Sequence, residues 1–405
     1  MLTLRKEHYF FYVILFSGLA TSFFRSHYGL ITLFLFGALF FGKTLLRPTR
    51  SLVIALSIWM LYFFINTIII GSFHPFFMAT YIIYLYVAWW LARYFGFGIF
   101  QLYTTIIYYL CFISLFFWVW QVLSPSSLTF LMSALNVAGD NLNSISIFVY
   151  TKHYLSDSTV IPRNAGFTWE PGPFSCFVAL ALFFNMARNH VSFKDKRRVM
   201  VFIVTIITTQ STTGFLLLLC LLGWYSWARF ENKVFRFLLV PIVGLFIILV
   251  YLNVPFLKEK IDDQSQQDVY ALTEHAEASG RTYNPGRFAS LVLRYEDFKN
   301  YPVAGYGGNP KLQYGYLGEG NVVSAVSGIG KIFGQYGLIG SVIFVFVLYR
   351  SGILMANHFG YSGFLVFPIM VLMIGFSFSI IETPAIVVLL LLPFFVKRSD
   401  VEARH

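Results

Sequence analysis

The sequence predicts an all-α, polytopic integral membrane protein that crosses its bilayer about a dozen times. Three observations carry this reading. Of the 405 residues, 58% are hydrophobic and only 12% are charged, and the mean hydropathy is +0.70, outside the range of soluble globular proteins. Phe occurs 47 times and aromatic residues make up 20% of the chain, more apolar surface than one aqueous core of this size can hide. Apolar runs of membrane-crossing length then follow one another along most of the sequence, with the basic residues gathered between them.

Taken in order, the runs fall near residues 8–24, 28–42, 51–71, 75–92, 97–123, 166–187, 199–210, 211–228, 237–253, 331–349, 363–379 and 383–396. The first follows Arg5 and Lys6 and resembles a signal peptide, but further spans succeed it at once, so an uncleaved signal anchor is expected. The pair on either side of Thr208-Thr209-Gln210-Ser211-Thr212-Thr213-Gly214 reads either as two tilted helices meeting at a polar turn or as one long broken helix.

With the N-terminus inside, most of the 29 Lys and Arg residues fall in cytoplasmic connections, and the C-terminus is cytoplasmic as well. The net charge of +11 therefore reports topology and no nucleic-acid partner. Arg25 is the one basic residue in a short connection on the opposite side. Cys111, Cys176 and Cys220 lie within apolar runs, without metal-ligand spacing or a disulfide framework.

The chain reads as a single membrane domain, 1–405, interrupted by two long non-cytoplasmic segments, 124–165 and the larger 254–330. Chemistry is expected there, because the other loops are too short to enclose a substrate. The larger segment opens with the acidic, Gln-rich run Asp262 to Asp268 and carries an amphipathic helix over 287–300. In that helix Phe288, Leu291, Tyr295 and Phe298 recur at helical spacing as an apolar stripe. Arg287 and Arg294 fall about 20° apart beside the stripe and about 10 Å apart along the axis. An arginine pair at a buried edge needs an anion, and phosphate oxygens match the guanidinium fork. The alternatives are snorkelling to lipid headgroups or pairing with Glu296 and Asp297.

The second cluster is Pro162-Arg163-Asn164-Ala165-Gly166-Phe167-Thr168-Trp169-Glu170-Pro171-Gly172-Pro173. Pro171 and Pro173 suit a first helical turn, which sets Glu170 near the N-cap. Glu170 reads either as a helix cap or, with Arg163 nearby, as half of a cation–carboxylate pair able to hold a charged leaving group and accept a proton. Next comes Tyr301-Pro302-Val303-Ala304-Gly305-Tyr306-Gly307-Gly308-Asn309, whose Gly305 and Gly307 allow a backbone-exposed turn that can approach a phosphate or a sugar. His275 and His153 read as solvated loop residues. Glu382, at the last outer turn, reads as a cap or a deeper acid.

Four motifs in order, 163–171, Thr209 to Gly214, Gly286-Arg287 through Arg294 to Gly307, and Gly334-Gln335-Tyr336-Gly337-Leu338-Ile339-Gly340, resemble the superfamily of O-antigen polymerases (Wzy) and O-antigen ligases across roughly 160–345. The resemblance implies a GT-C-like membrane glycosyltransferase of the bacterial plasma (inner) membrane, acting on polyprenyl-diphosphate-linked oligosaccharides among membrane lipids. It implies that Arg163, Arg287 and Arg294 hold the donor diphosphate, and that neither a metal nor a nucleotide cofactor takes part. Whether a chain-length regulator binds stays open. The ligases carry an arginine where this chain has Thr212, and a histidine near Lys331 where 321–330 has none. Both departures favour a polymerase, with Glu170 as the first candidate base and His275 as the second. A flippase or secondary transporter is the rival class, but such proteins show internal repeats and charged midplane helices, neither of which is visible here.

Overall fold

The computed structural model describes residues 5–45, 47–135, 144–153, 161–229, 285–314, 316 and 327–396. Within them the chain is predominantly helical: α1 (Lys6–Ser17), α2 (Ser22–Arg25), α3 (His27–Leu45), α4 (Arg50–Ile70), α5 (Pro75–Phe95), α6 (Gly98–Leu123), α7 (Pro125–Ala134), α8 (Pro171–Arg188), α9 (Lys196–Thr209), α10 (Thr212–Arg229), α11 (Arg287–Asn300), α12 (Gly328–Phe359), α13 (Val366–Ser377) and α14 (Pro384–Phe395). Four of the described helices, α4, α5, α6 and α12, are long and apolar enough to cross a membrane, and three shorter apolar helices accompany them. Their outward surfaces are apolar, with Phe64, Ile68, Phe116 and Val345 all exposed, a surface suited to lipid and not to water. The expected run at 237–253, the acidic segment 262–268 and His275 lie outside the described residues.

The core is built around α8. Every residue from Pro171 to Ala187 is buried, and α6, α9, α10 and α13 pack around it, so its sequence is apolar on all sides. The 199–228 region resolves as two helices meeting at a polar turn: α9 ends at Thr209, Gln210 takes a left-handed conformation, and Ser211 Oγ accepts from the Gly214 amide to start α10.

Two expectations are corrected. The first run does not form one helix over 8–24. α1 stops at Ser17, because residues 18–21 turn to meet the 168–169 strand-like segment through a Leu19–Thr168 bridge and a hydrogen bond from the Trp169 amide to the Gly18 carbonyl. The segment 124–165, whose internal structure the sequence leaves open, is described in part. It contains an antiparallel hairpin, β1 (Ser144–Ile147) and β2 (Tyr150–His153), seated on α6 by the 2.7 Å bond from Tyr150 Oη to Gln121 Oε1. The span expected at 331–349 belongs to a longer helix broken at Gly337, whose φ of 60° and ψ of −159° are not helical. From Leu338 to Phe359 the helix is long enough, at about 1.5 Å per residue, to cross a hydrocarbon layer of about 30 Å.

That break is filled by the turn 301–308. The amides of Tyr306 and Gly307 donate to the carbonyls of Gly334 and Gln335, and the amides of Leu338 and Ile339 donate to the carbonyls of Pro302 and Val303. Backbone groups released by the kink are thus satisfied by another backbone. Asn66, buried on α4, clamps the turn with bonds of 2.9 and 3.1 Å to the carbonyls of Ala304 and Gly305. A Cβ on Gly337 would lie 2.5 Å from the Gly305 nitrogen. Gly337→Ala therefore adds this clash to about 1–3 kcal/mol of backbone strain. A clear fall in the thermal unfolding midpoint of the detergent-solubilised protein is expected, and an unchanged midpoint would contradict the interlock.

Candidate anion-binding site

The segment 161–170 is stitched onto the α9–α10 turn. The Asn164 amide donates to the Thr208 carbonyl at 2.9 Å, Asn164 Nδ2 reaches Thr208 Oγ1 at 3.1 Å, and Arg163 Nε donates to the Thr209 carbonyl at 3.2 Å. Arg163 is thereby fixed above the starts of α8 and α10. Glu170 occupies the N-cap position of α8, but its side chain caps nothing, which leaves its carboxylate available to the arginines.

Arg287, the first residue of α11, comes to the same place. A Cβ built on Gly172, in the first turn of α8, would lie 3.8 Å from Arg287 Nη2, 3.8 Å from Ser211 Oγ and 3.7 Å from Ser377 Oγ. These three polar groups therefore converge on one small space at the ends of α8, α10, α11 and α13. Arg287 Nη1 and Ser377 Oγ are both buried and have no hydrogen-bond partner among the described residues.

A third arginine joins them. Arg25, at the end of α2, is aimed by a 2.8 Å bond from its Nε to the Leu19 carbonyl. Partial burial lowers the pKa of Arg163 and Arg287 from the ordinary value, a lowering of the same sign holds for the guanidinium of the otherwise exposed Arg25, and in each the Glu170 carboxylate opposes the shift. Arg287 also depresses Arg163, so the two cations feel one another. All three guanidiniums stay charged at any physiological pH, and one carboxylate cannot balance them. Arg25 was not singled out by sequence reasoning; the available signal was its exceptional position as a lone basic residue in a short outer connection.

Arg294 is placed differently. Its Nη1 pairs with Asp297 Oδ2 at 2.7 Å, its Nη2 donates to Gln313 Oε1 at 3.1 Å, and the guanidinium lies 5.4 Å from the Tyr306 ring centroid. Asp297 is fully buried. Burial raises its pKa, Arg294 opposes the rise, and the Tyr314 amide donates to the carboxylate as well. Two of the arginine's nitrogens are thus held by the protein, and the pairing alternative for this residue is the observed one. The structure brings Arg163, Glu170 and Arg287 together and sets Arg294 into a separate neutral pair.

The reading of Gly305 and Gly307 as an open phosphate-binding turn is also corrected. Their amides donate to the carbonyls of Tyr301 and Gln335, so neither is left for a ligand. The close approach these glycines permit is to protein, at the Gln335 backbone and the Asn66 side chain. His153 lies at the end of β2. Glu382 pairs with Lys331 just before the start of α14.

No protein-family model matches the chain, and no curated protein matches it significantly.

The two α11 arginines separate a structural cation from one free to bind. Arg294→Ala leaves a buried carboxylate unpaired and should cost about 3–5 kcal/mol, most of it recovered in the Arg294→Ala/Asp297→Ala double variant. Arg287→Ala removes an incompletely paired buried cation and should leave thermal stability unchanged or raised. Equal destabilisation by both single variants would count against the division.

Proposed function

We propose that the chain is a polysaccharide polymerase: a metal-independent glycosyltransferase that moves a polyprenyl-diphosphate-linked glycan onto a lipid-linked repeat unit. The observation that carries this reading is the arginine–carboxylate cluster at the helix ends, where Arg287 Nη2 and the unpartnered Ser377 Oγ face one space beside Gly172 and Arg287 Nη1 is itself buried without a partner among the described residues. An excess of about two positive charges suits a diphosphate diester, and guanidinium forks match its oxygens. The N-terminus of α8 adds its partial positive charge at the same point.

In this mechanism Arg163, Arg287 and Arg25 hold the donor diphosphate. A hydroxyl oxygen of the acceptor repeat unit attacks the anomeric carbon of the donor glycan and forms the new glycosidic bond. The bond from that carbon to the diphosphate oxygen breaks, and its electron pair leaves with polyprenyl diphosphate. Glu170 accepts the hydroxyl proton. The fixed guanidiniums stabilise the charge that develops on the departing oxygen, the part a divalent ion plays elsewhere.

The resemblance of four motifs to O-antigen polymerases supports the same assignment. It places the cluster on the outer face of a bacterial plasma membrane, with about a dozen spans and both termini cytoplasmic. Contacts among the described residues fit such alternation: 18–25, 71–74, 161–170, 210–211, 301–309 and 378–383 meet at one end of the bundle, while Arg229 meets the 190–191 turn and Phe97 stacks on His358 at the other.

Arg163→Ala and Arg287→Ala should each leave single repeat units on the lipid carrier, read as loss of the long-chain ladder when the glycan is resolved by length. Arg287→Lys, which keeps the charge and loses the fork, should shorten the ladder without abolishing it. Glu170→Gln should retain donor binding and lose extension. Wild-type ladders from both alanine variants would reject the assignment.

A further inference from the structure

The apolar stripe of α11 is turned only partly to the protein, with Leu291 and Phe298 half-buried and Phe288 and Tyr295 exposed. The buried residues of the helix are Ala289, Ser290, Leu293, Arg294 and Asp297, packed on α12 where Cβ atoms on Gly330 and Gly334 would come within 3.0 Å of Arg294 and Asp297. Phe288 is 47% exposed, Val292 42% and Tyr295 58%, and at about 100° per residue they share one outward arc. This arc is continuous with the lipid-suited surface of the bundle. The Phe288 ring lies 5.3 Å from Phe376 on α13, and Phe298 lies 6.1 Å from Phe333 on α12. At the far end of the arc Lys299 pairs with Glu296 at 2.6 Å and lies 5.4 Å from the Tyr295 ring centroid, the aromatic-and-lysine arrangement of a membrane interface.

Arg287 sits at the border between the buried and outward arcs. Phe288 is its chain neighbour, and across the seam Phe376 is the chain neighbour of Ser377. The two rings that close the α11–α13 seam on the lipid side are therefore each one residue from the two unpartnered polar groups behind it.

Resting on the proposed function, we propose that the outward face of α11 is bedded in the outer leaflet. We further propose that the Phe288–Phe376 seam is the lateral portal where a lipid-borne phosphate reaches Arg287 while its hydrocarbon tail stays in the bilayer. One helix then has lipid on one side and charge on the other, so an amphiphile crosses no apolar barrier with its headgroup and exposes no tail to water.

Two measurements on full-length protein in phosphatidylethanolamine/phosphatidylglycerol vesicles test this. Nitroxides on Phe288→Cys, Val292→Cys and Tyr295→Cys, read against the labelled background of protein with no added cysteine, should collide with oxygen far more than with a water-soluble nickel chelate. Lys311→Cys should show the reverse. Chelate-dominated collisions at all three positions would overturn the bedding of α11. A diazirine-tagged polyprenyl monophosphate should label the peptides holding Phe288 and Phe376, with labelling reduced about tenfold by Arg287→Ala as charge-assisted hydrogen bonds are lost. Labelling confined to other helices, or unaffected by Arg287→Ala, would overturn the portal. Neither readout requires glycan extension. Labelling at the seam by a protein that extends nothing keeps the portal and defeats the polymerase reading, and extension without seam labelling does the opposite.

Discussion

The close approach of α11 to α12 across Gly330 and Gly334 sets the directions of Arg287, Arg294 and Asp297. A Cβ at either glycine would press on Arg294 or Asp297 at about contact limit, so the spacing depends on small residues four apart, the device by which helices approach backbone to backbone. Once that contact is made, the rotation of α11 about its axis is fixed. Leu293 and the Arg294–Asp297 pair turn inward, Phe288, Val292 and Tyr295 turn outward, and Arg287 emerges at the edge toward α8. The interlock of 301–308 with the broken α12 holds the next part of the chain in register, so the helix can neither slide nor roll.

Two arginines two turns apart thus meet opposite electrostatic fates. Arg294 is desolvated together with a carboxylate, an amide oxygen and an aromatic face, and its charge is cancelled locally. Removing one partner of such a pair is expensive, while the intact pair contributes little net stability. Arg287 is partly desolvated near Arg163, and the one Glu170 carboxylate is shared between them and the more exposed Arg25. Burying an incompletely compensated cation is unfavourable, and a fold retains that cost where a ligand supplies the missing negative charge. Proximity to like charge, more than burial alone, distinguishes the candidate binding site from the structural pair.

The sequence made some of this legible. Most of the long described helices followed from apolar runs, and α11 was placed at the observed residues by the helical spacing of Phe288, Leu291, Tyr295 and Phe298. Arg163 and Glu170 stood next to a Pro-Gly-Pro helix start, so their place at one helix end was readable. What could not be read was helix rotation. An apolar stripe is ordinarily the buried side in water, whereas in α11 Phe288 and Tyr295 lie exposed and Leu291 and Phe298 are only half-buried. The roles of Gly305 and Gly307 were hidden for a related reason: a glycine that admits a ligand and one that admits another backbone have the same signature until the kink at Gly337 is seen. Arg25 was hidden because it is brought to Glu170 by the Leu19–Thr168 bridge, a pairing between segments far apart in the chain.

The position of the arginine cluster follows from membrane energetics as much as from chemistry. Three guanidiniums at the bilayer midplane would carry a heavy penalty, whereas at the helix ends they remain within reach of the interface and beside the orphan backbone groups of α8 and α10. A soluble enzyme would enclose such a cluster in a cleft open to water. Here the side toward α11 is instead flanked by a helix whose far face suits hydrocarbon, so the route to the charges that avoids exposing a tail runs along the lipid. Under the proposed function, a cationic site built this way would select against a free, fully hydrated anion, which must shed its water without compensation from its own tail, and would favour an anion whose tail already sits in the leaflet.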